Sequence, residues 1–144
     1  MLFWDVDTQR DFLVPGGALY VPGAKKIIPN LHELTVWAGA HQIPVISSAC
    51  AHLPSDPEIQ TYGPHCMAGT AGQQKIAETL LPNRFTVPNL RVELPNIKSF
   101  QQVIIEKQRF DVFTNPNAHR VVHQFGSHAP CGQLCELGDV EVRI

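Results

Sequence analysis

Leu2-Phe3-Trp4-Asp5-Val6-Asp7 is a short, largely apolar run that stops at the polar stretch Thr8-Gln9-Arg10-Asp11. Such a run predicts a buried strand. It ends at Asp7, so that carboxylate projects from the strand's carboxyl end. Pro15-Gly16-Gly17 and Pro22-Gly23 mark a loop, after which Ile27, Ile28, Leu31, Leu34, Trp37 and Ala38 recur at helical spacing. Pro29 falls near the first turn of this amphipathic helix, where a missing N–H is tolerated. Ile43-Pro44-Val45-Ile46-Ser47-Ser48 reads as a second strand, with Cys50 and His52 directly after it.

Residues 53–71, rich in Pro, Ser, Asp and Gly, predict a long ordered loop of the kind that usually carries function. A helix is expected from about Gly72 to Leu81, and a strand near Arg84 to Val87. A clearer strand is Gln102-Val103-Ile104-Ile105-Glu106-Lys107, which again leaves an ionisable side chain at its carboxyl end. Asn115-Pro116 reads as an N-cap followed by Pro at the first helical position, opening a helix with Val121, Val122 and Phe125 inward. This alternation predicts an α/β fold: a largely parallel sheet flanked by helices in a Rossmann-like three-layer arrangement. Open parallel sheets bind ligands outside the carboxyl ends of their strands, and Asp7, His52 and Lys107 all fall there.

At 144 residues the chain is expected to be a single domain, 1–144. Eleven Lys and Arg against thirteen Asp and Glu, with Lys25-Lys26 the only adjacent basic pair, argue against a nucleic-acid partner. Without a basic leader or a long apolar stretch, a soluble, cytoplasmic protein with no membrane association is expected. Cys50, Cys66, Cys131 and Cys135 lack the spacing of a disulfide scaffold and read as free thiols; Cys131 and Cys135 stand one residue too far apart for a Cys-x-x-Cys motif.

Two constellations carry chemistry. Asp7 and Lys107 can form a buried acid–base pair whose ammonium lowers the pKa of a neighbouring thiol; an ion pair that only ties two strand ends together would leave the same trace. His52, Glu58 and His65, with Cys50 two residues before His52, make a donor set suited to Zn²⁺, Fe²⁺ or Mn²⁺. Their spacing matches no compact metal motif, and solvated loop histidines would look alike. His119 and His123 stand four apart with no acidic partner between them and read as helix-surface residues. Gly69-Thr70-Ala71-Gly72 reads as a turn and cap.

Three blocks of sequence together resemble the superfamily of nicotinamidases, isochorismatases and related cysteine hydrolases, over about residues 2–126. The first is Val6-Asp7-Thr8-Gln9-Arg10-Asp11-Phe12 with Pro15-Gly16-Gly17-Ala18-Leu19. The second is His52 with Asp56-Pro57-Glu58 and then Tyr62-Gly63-Pro64-His65-Cys66-Met67-Ala68-Gly69-Thr70. The third is Ile104-Ile105-Glu106-Lys107 with Phe110-Asp111-Val112-Phe113 and Asn115-Pro116-Asn117.

The resemblance implies an isochorismatase-like fold and a thiolate that attacks a small carboxamide, with nicotinamide the leading substrate and NAD metabolism the setting. Asp7 then carries the proton from thiol to leaving ammonia, Lys107 balances charge, and water releases the acid from a thioester. It further implies Phe12 in the substrate pocket, no organic cofactor, a homo-oligomer, and one divalent metal (Zn, Fe or Mn) at Cys50, His52, Glu58 and His65. Cys50 stands where the family carries aspartate. Residues 127–144 depart from the family's strand, Gly-x-Ala-Thr turn and nucleophile-bearing helix. They form an atypical tail with the C-terminal strand and helix incomplete, as in a truncated or frame-shifted product, and Cys135 is the expected nucleophile. Two alternatives accompany this reading: a metal-free isochorismatase-like hydrolase of a vinyl ether, and a catalytically silent relative that acts as a binding or interaction protein.

Overall fold

A computed structural model describes residues 1–126. Four parallel strands form one sheet in the order β1-β2-β4-β3: β1 Phe3–Val6, β2 Val45–Cys50, β3 Arg84–Val87 and β4 Gln102–Lys107. The helices are α1 Arg10–Leu13, α2 Ile28–Ala40, α3 Pro57–Tyr62 and α4 Ala118–Phe125. The expected sheet and flanking helices are therefore present. None of the described helices is long and apolar enough to cross a membrane.

Side-chain alternation along the central strands divides the core in two. Ile46, Val87, Val103 and Ile105 pack with Ala118, Val121 and Val122 of α4. Val45, on the opposite face, packs with Ala38 of α2 and Leu81. Helices on both faces of a parallel sheet explain why β2 and most of β4 are buried, their serines and Gln102 included.

The structure corrects the sequence-based expectations at five places. β2 runs two residues beyond Ser48, so Cys50 lies on the strand and pairs in register with Lys107. The loop 53–71 contains α3, which starts with Pro57 in its first turn. From Gly72 to Leu81 there is only a short 3₁₀ turn at Ala77–Thr79 in place of a helix. There the carbonyls of Gly72 and Gln74 accept from the N–H groups of Asp11 and Arg10, and Ile76 N–H donates to Thr8. Backbone groups spent on another segment are not free to close helical turns. The last helix begins at Ala118. The Asn115 amide donates to the carbonyls of Pro88 and Glu106, and its oxygen accepts from Asn117 N–H, so Asn115 bridges segments across the chain. Finally, α2 forms where its spacing predicts, with Pro29 in its first turn, but Leu34, Val36 and Trp37 are exposed and only Ala38 is buried.

The α2 side of the sheet also holds a buried polar clamp. Gln102 is fully buried, donates to Ser47 Oγ (2.9 Å) and Thr79 O (2.8 Å), and accepts from Leu81 N–H (2.8 Å). Beside it, Lys75 pairs with Asp5 at 2.9 Å, and Ser47 Oγ donates to the same Asp5 oxygen. Buried polar groups left without partners cost about 1–3 kcal/mol each. Gln102→Ala strands Leu81 N–H and Thr79 O at once and is expected to lower the unfolding free energy by about 2–4 kcal/mol in chemical denaturation. A change below about 0.5 kcal/mol, the scale of an ordinary surface substitution, would contradict the clamp.

Candidate active site

The carboxyl ends of β1, β2 and β4 bring Asp7, Cys50 and Lys107 together. Asp7 follows β1 with φ of 50°, a left-handed conformation that a non-glycine residue adopts at some cost. Its N–H donates to Ser48 O at 3.2 Å, and Ser48 Oγ donates to its Oδ1 at 2.7 Å. The other oxygen, Oδ2, meets Lys107 Nζ at 2.9 Å. Lys107 is 2 % exposed and also donates to Cys50 Sγ at 3.3 Å.

Burial alone would pull the Lys107 ammonium down, but the Asp7 carboxylate, with help from Cys50, outweighs it and holds the pKa above its ordinary value. Burial, followed by the Asp7 carboxylate, pushes the Cys50 thiol up to about 11 against the lowering pull of Lys107. Burial likewise raises Cys66.

The backbone beneath Cys50 is fixed by Gln9, a fully buried side chain. Its Oε1 accepts from Cys50 N–H and its Nε2 donates to Cys50 O, both at 2.7 Å, and Nε2 also reaches Gln73 O at 2.6 Å. Asp11 does similar service for the second loop, accepting from the N–H of Cys66 (2.6 Å) and of Ala18 (3.1 Å). Gly72 lies so close that a Cβ there would overlap the Asp11 carboxylate. Sequence reasoning noticed Gln9 and Asp11 only as part of a polar stretch. Their one available signal was polar residues directly after a buried strand.

His52, Glu58 and His65 converge, their candidate ligand atoms all within 4.8 Å of one another and all three residues buried. His52 Nδ1 faces Asp56 Oδ2 at 3.2 Å, and that oxygen also accepts from Leu53 N–H. His65 Nδ1 donates to Gly63 O at 2.8 Å. Both rings therefore carry the outer hydrogen bond that fixes the tautomer of a metal-binding imidazole and leaves Nε2 as the donor atom. His52 Nε2 and Glu58 Oε1 are buried without a hydrogen-bond partner, and His52 Nε2 stands 3.7 Å from Glu58 Oε2. Orphaned donor atoms of this kind fit a divalent cation. Cys50, expected in this set, lies outside it.

A cavity of about 350 Å³ joins the two groups, lined by Asp7, Phe12, Leu19, Cys50, Glu58, Tyr62, His65, Lys107 and Phe110. Phe12 is at the expected wall, its ring 5.8 Å from that of His65. Tyr62 and Phe110 meet edge to face at 5.7 Å. Nothing in the sequence singled out Phe110 as a wall residue, because only the fold brings the loop after β4 beside α3. His119 and His123 are exposed on α4 as expected. Cys135 and the rest of the 127–144 tail lie outside the described residues.

A thiol with a raised pKa stays protonated over the neutral range, and the thiolate is the form that alkylates. Cys50 is therefore expected to react with iodoacetamide slowly at pH 8 and progressively faster toward pH 11. Peptide mass mapping would show this; labelling already complete at pH 8 would contradict the burial argument.

No protein-family model and no curated protein matches the sequence. Solved structures do. The N-carbamoylsarcosine amidase of Thermoplasma acidophilum is 23 % identical, with a TM-score of 0.65 over 87 % of this chain and 61 % of that one. An isochorismatase-like hydrolase from Alkaliphilus metalliredigens is 21 % identical, with a TM-score of 0.66 over 87 % and 61 %. The pyrazinamidase of Pyrococcus horikoshii, solved in complex with zinc, is 24 % identical, with a TM-score of 0.62 over 87 % and 64 %. The chain spans a little over three-fifths of the length of these proteins. Its sheet, helices and rim of strand ends are those of the isochorismatase-like hydrolase fold.

Proposed function

We propose that this chain is a cysteine hydrolase of the isochorismatase-like superfamily that cleaves a small primary carboxamide, with nicotinamide the leading substrate. The observation that carries the reading is the Lys107–Asp7 pair at 2.9 Å on the wall of a half-open cavity. A cavity of about 350 Å³ with Phe12, Tyr62 and Phe110 on its walls and ionisable groups at Asp7, Lys107, Glu58 and His65 suits a small planar polar ligand.

In this reading Asp7 accepts the proton of the thiol as sulfur adds to the carbonyl carbon and returns it to the nitrogen, so the carbon–nitrogen bond breaks and ammonia leaves as the tetrahedral adduct collapses to the thioester. Water then attacks the thioester, gives its proton to Asp7, and frees the acid and the thiol. Lys107, whose pKa the Asp7 carboxylate holds above its ordinary value, stays an ammonium and steadies the negative charge that develops on the carbonyl oxygen. The resemblance calls for a thiol without a matching motif to place it, and Cys135 is the choice over Cys131, which Pro130 and Gly132 flank.

His52, Glu58 and His65 would hold one divalent ion, Zn, Fe or Mn. When bound, such an ion supplies a Lewis-acid contact for a substrate donor such as a ring nitrogen. A cytoplasmic homo-oligomer without an organic cofactor belongs to the same proposal. A second reading, a relative that binds a small ligand without turning it over, draws support from one observation: both thiols among the described residues, Cys50 and Cys66, are buried.

Ammonia release from nicotinamide and from other small carboxamides separates the two readings. Asp7→Asn and Lys107→Met are each expected to lower kcat by about a thousandfold or more, the scale of losing a group that acts only in the transition state. Rates within about threefold of the parent in both variants, or no release from any amide, would defeat the hydrolase reading.

A further inference from the structure

Cys50 occupies a ligand position by resemblance, yet its sulfur points elsewhere. It pairs in register with Lys107 on adjacent parallel strands, so both side chains leave the sheet on one face. Its sulfur takes a hydrogen from Nζ at 3.3 Å, the same nitrogen that holds Asp7 at 2.9 Å. Gln9 grips the Cys50 backbone from both sides at 2.7 Å, so no swing of the main chain carries the sulfur away. Meanwhile His52, Glu58 and His65 close on one another without it, and their unpartnered atoms are His52 Nε2 and Glu58 Oε1.

We infer that the metal centre of this chain has three protein ligands, His52, Glu58 and His65, and that Cys50 instead serves as a positioning residue that holds the Lys107 ammonium against Asp7. This rests on the hydrolase reading proposed above. Two imidazoles and one carboxylate are the donor set of catalytic zinc sites, which keep a further position for an incoming atom. Lys107 needs such a fixed acceptor because its ammonium has three N–H groups to satisfy in a buried place. Asp7 takes one and the Cys50 sulfur a second.

Cobalt(II) added to the full chain tests the metal half without reference to turnover. Visible d–d bands are expected without a sulfur-to-cobalt charge-transfer band in the near ultraviolet. Cobalt affinity in Cys50→Ala is expected to stay within about threefold of the parent, against the 10- to 100-fold loss that even an outer partner of a metal ligand produces (about that range). A charge-transfer band that vanishes in Cys50→Ala makes Cys50 a ligand and overturns the inference. A band that persists there comes from another cysteine and overturns the three-ligand count, as does failure to take up cobalt.

Kinetics test the other half. Cys50→Ala is expected to lower kcat for nicotinamide about tenfold with KM unchanged, as removal of a transition-state positioning contact does. Cys50→Ser, whose hydroxyl still accepts from Nζ, is expected to restore most of it. An unchanged kcat in Cys50→Ala, or no rescue by serine, overturns the positioning role. Absence of ammonia release from the parent chain overturns the hydrolase reading itself, and the cobalt spectra still report where the sulfur points.

Discussion

The ammonium of Lys107 sits almost wholly out of water at the end of a central strand, and the surrounding site is arranged to make that tolerable. An isolated buried charge is strongly unfavourable, so it persists only with a counter-charge and hydrogen-bond acceptors in place. Asp7 supplies the first and can do so because the chain turns left-handed where β1 ends. Ser48 holds the far oxygen of Asp7, and Cys50 accepts a second hydrogen from Lys107. Three neighbouring strands contribute to the arrangement, so the register of the sheet is the register of the site.

The cluster of His52, Glu58 and His65 is built on different terms. It sits on a loop and the short helix α3, away from the regular ladder, and its geometry depends on outer partners: Asp56 for His52, the Gly63 carbonyl for His65, and Asp11 for the backbone at Cys66. Removing any of these loosens a donor atom without touching it. The cavity lies where the two constructions meet, with the Lys107–Asp7 ion pair from the sheet on one side and Glu58 and His65 on the other. Under the proposed function, the first side would move a proton near the nitrogen and the second would anchor the remainder of the substrate.

Much of this was legible in the sequence because strand ends are easy to read. Asp7 and Lys107 close apolar runs, and in an open parallel sheet that position alone predicts a place on the ligand rim. His52, Glu58 and His65 could be grouped by residue type, but their spacing obeys no helical or strand period, and the resemblance to a known pattern is what set them apart from solvated loop residues. The segment 72–81 misled because its composition is compatible with a helix, while its carbonyls are spent on Arg10 and Asp11, a long-range pairing that no local pattern announces. Cys50 misled in another way. A residue two positions before a ligating histidine on an extended chain points with it, but the extra two residues of β2 put Cys50 opposite Lys107 and gave its sulfur a different partner. Phe110 and Gln9 take their roles from tertiary contacts alone.

The central claim is that this rim supports covalent cleavage of an amide, and hydroxylamine present during turnover tests it most directly. A thioester intermediate partitions between water and the stronger nucleophile, so nicotinamide should yield nicotinohydroxamic acid alongside nicotinate, and Asp7→Asn should abolish both products together. Ammonia and nicotinate formed with no hydroxamate at any hydroxylamine concentration would contradict the account, because the acyl group would then have passed directly to water.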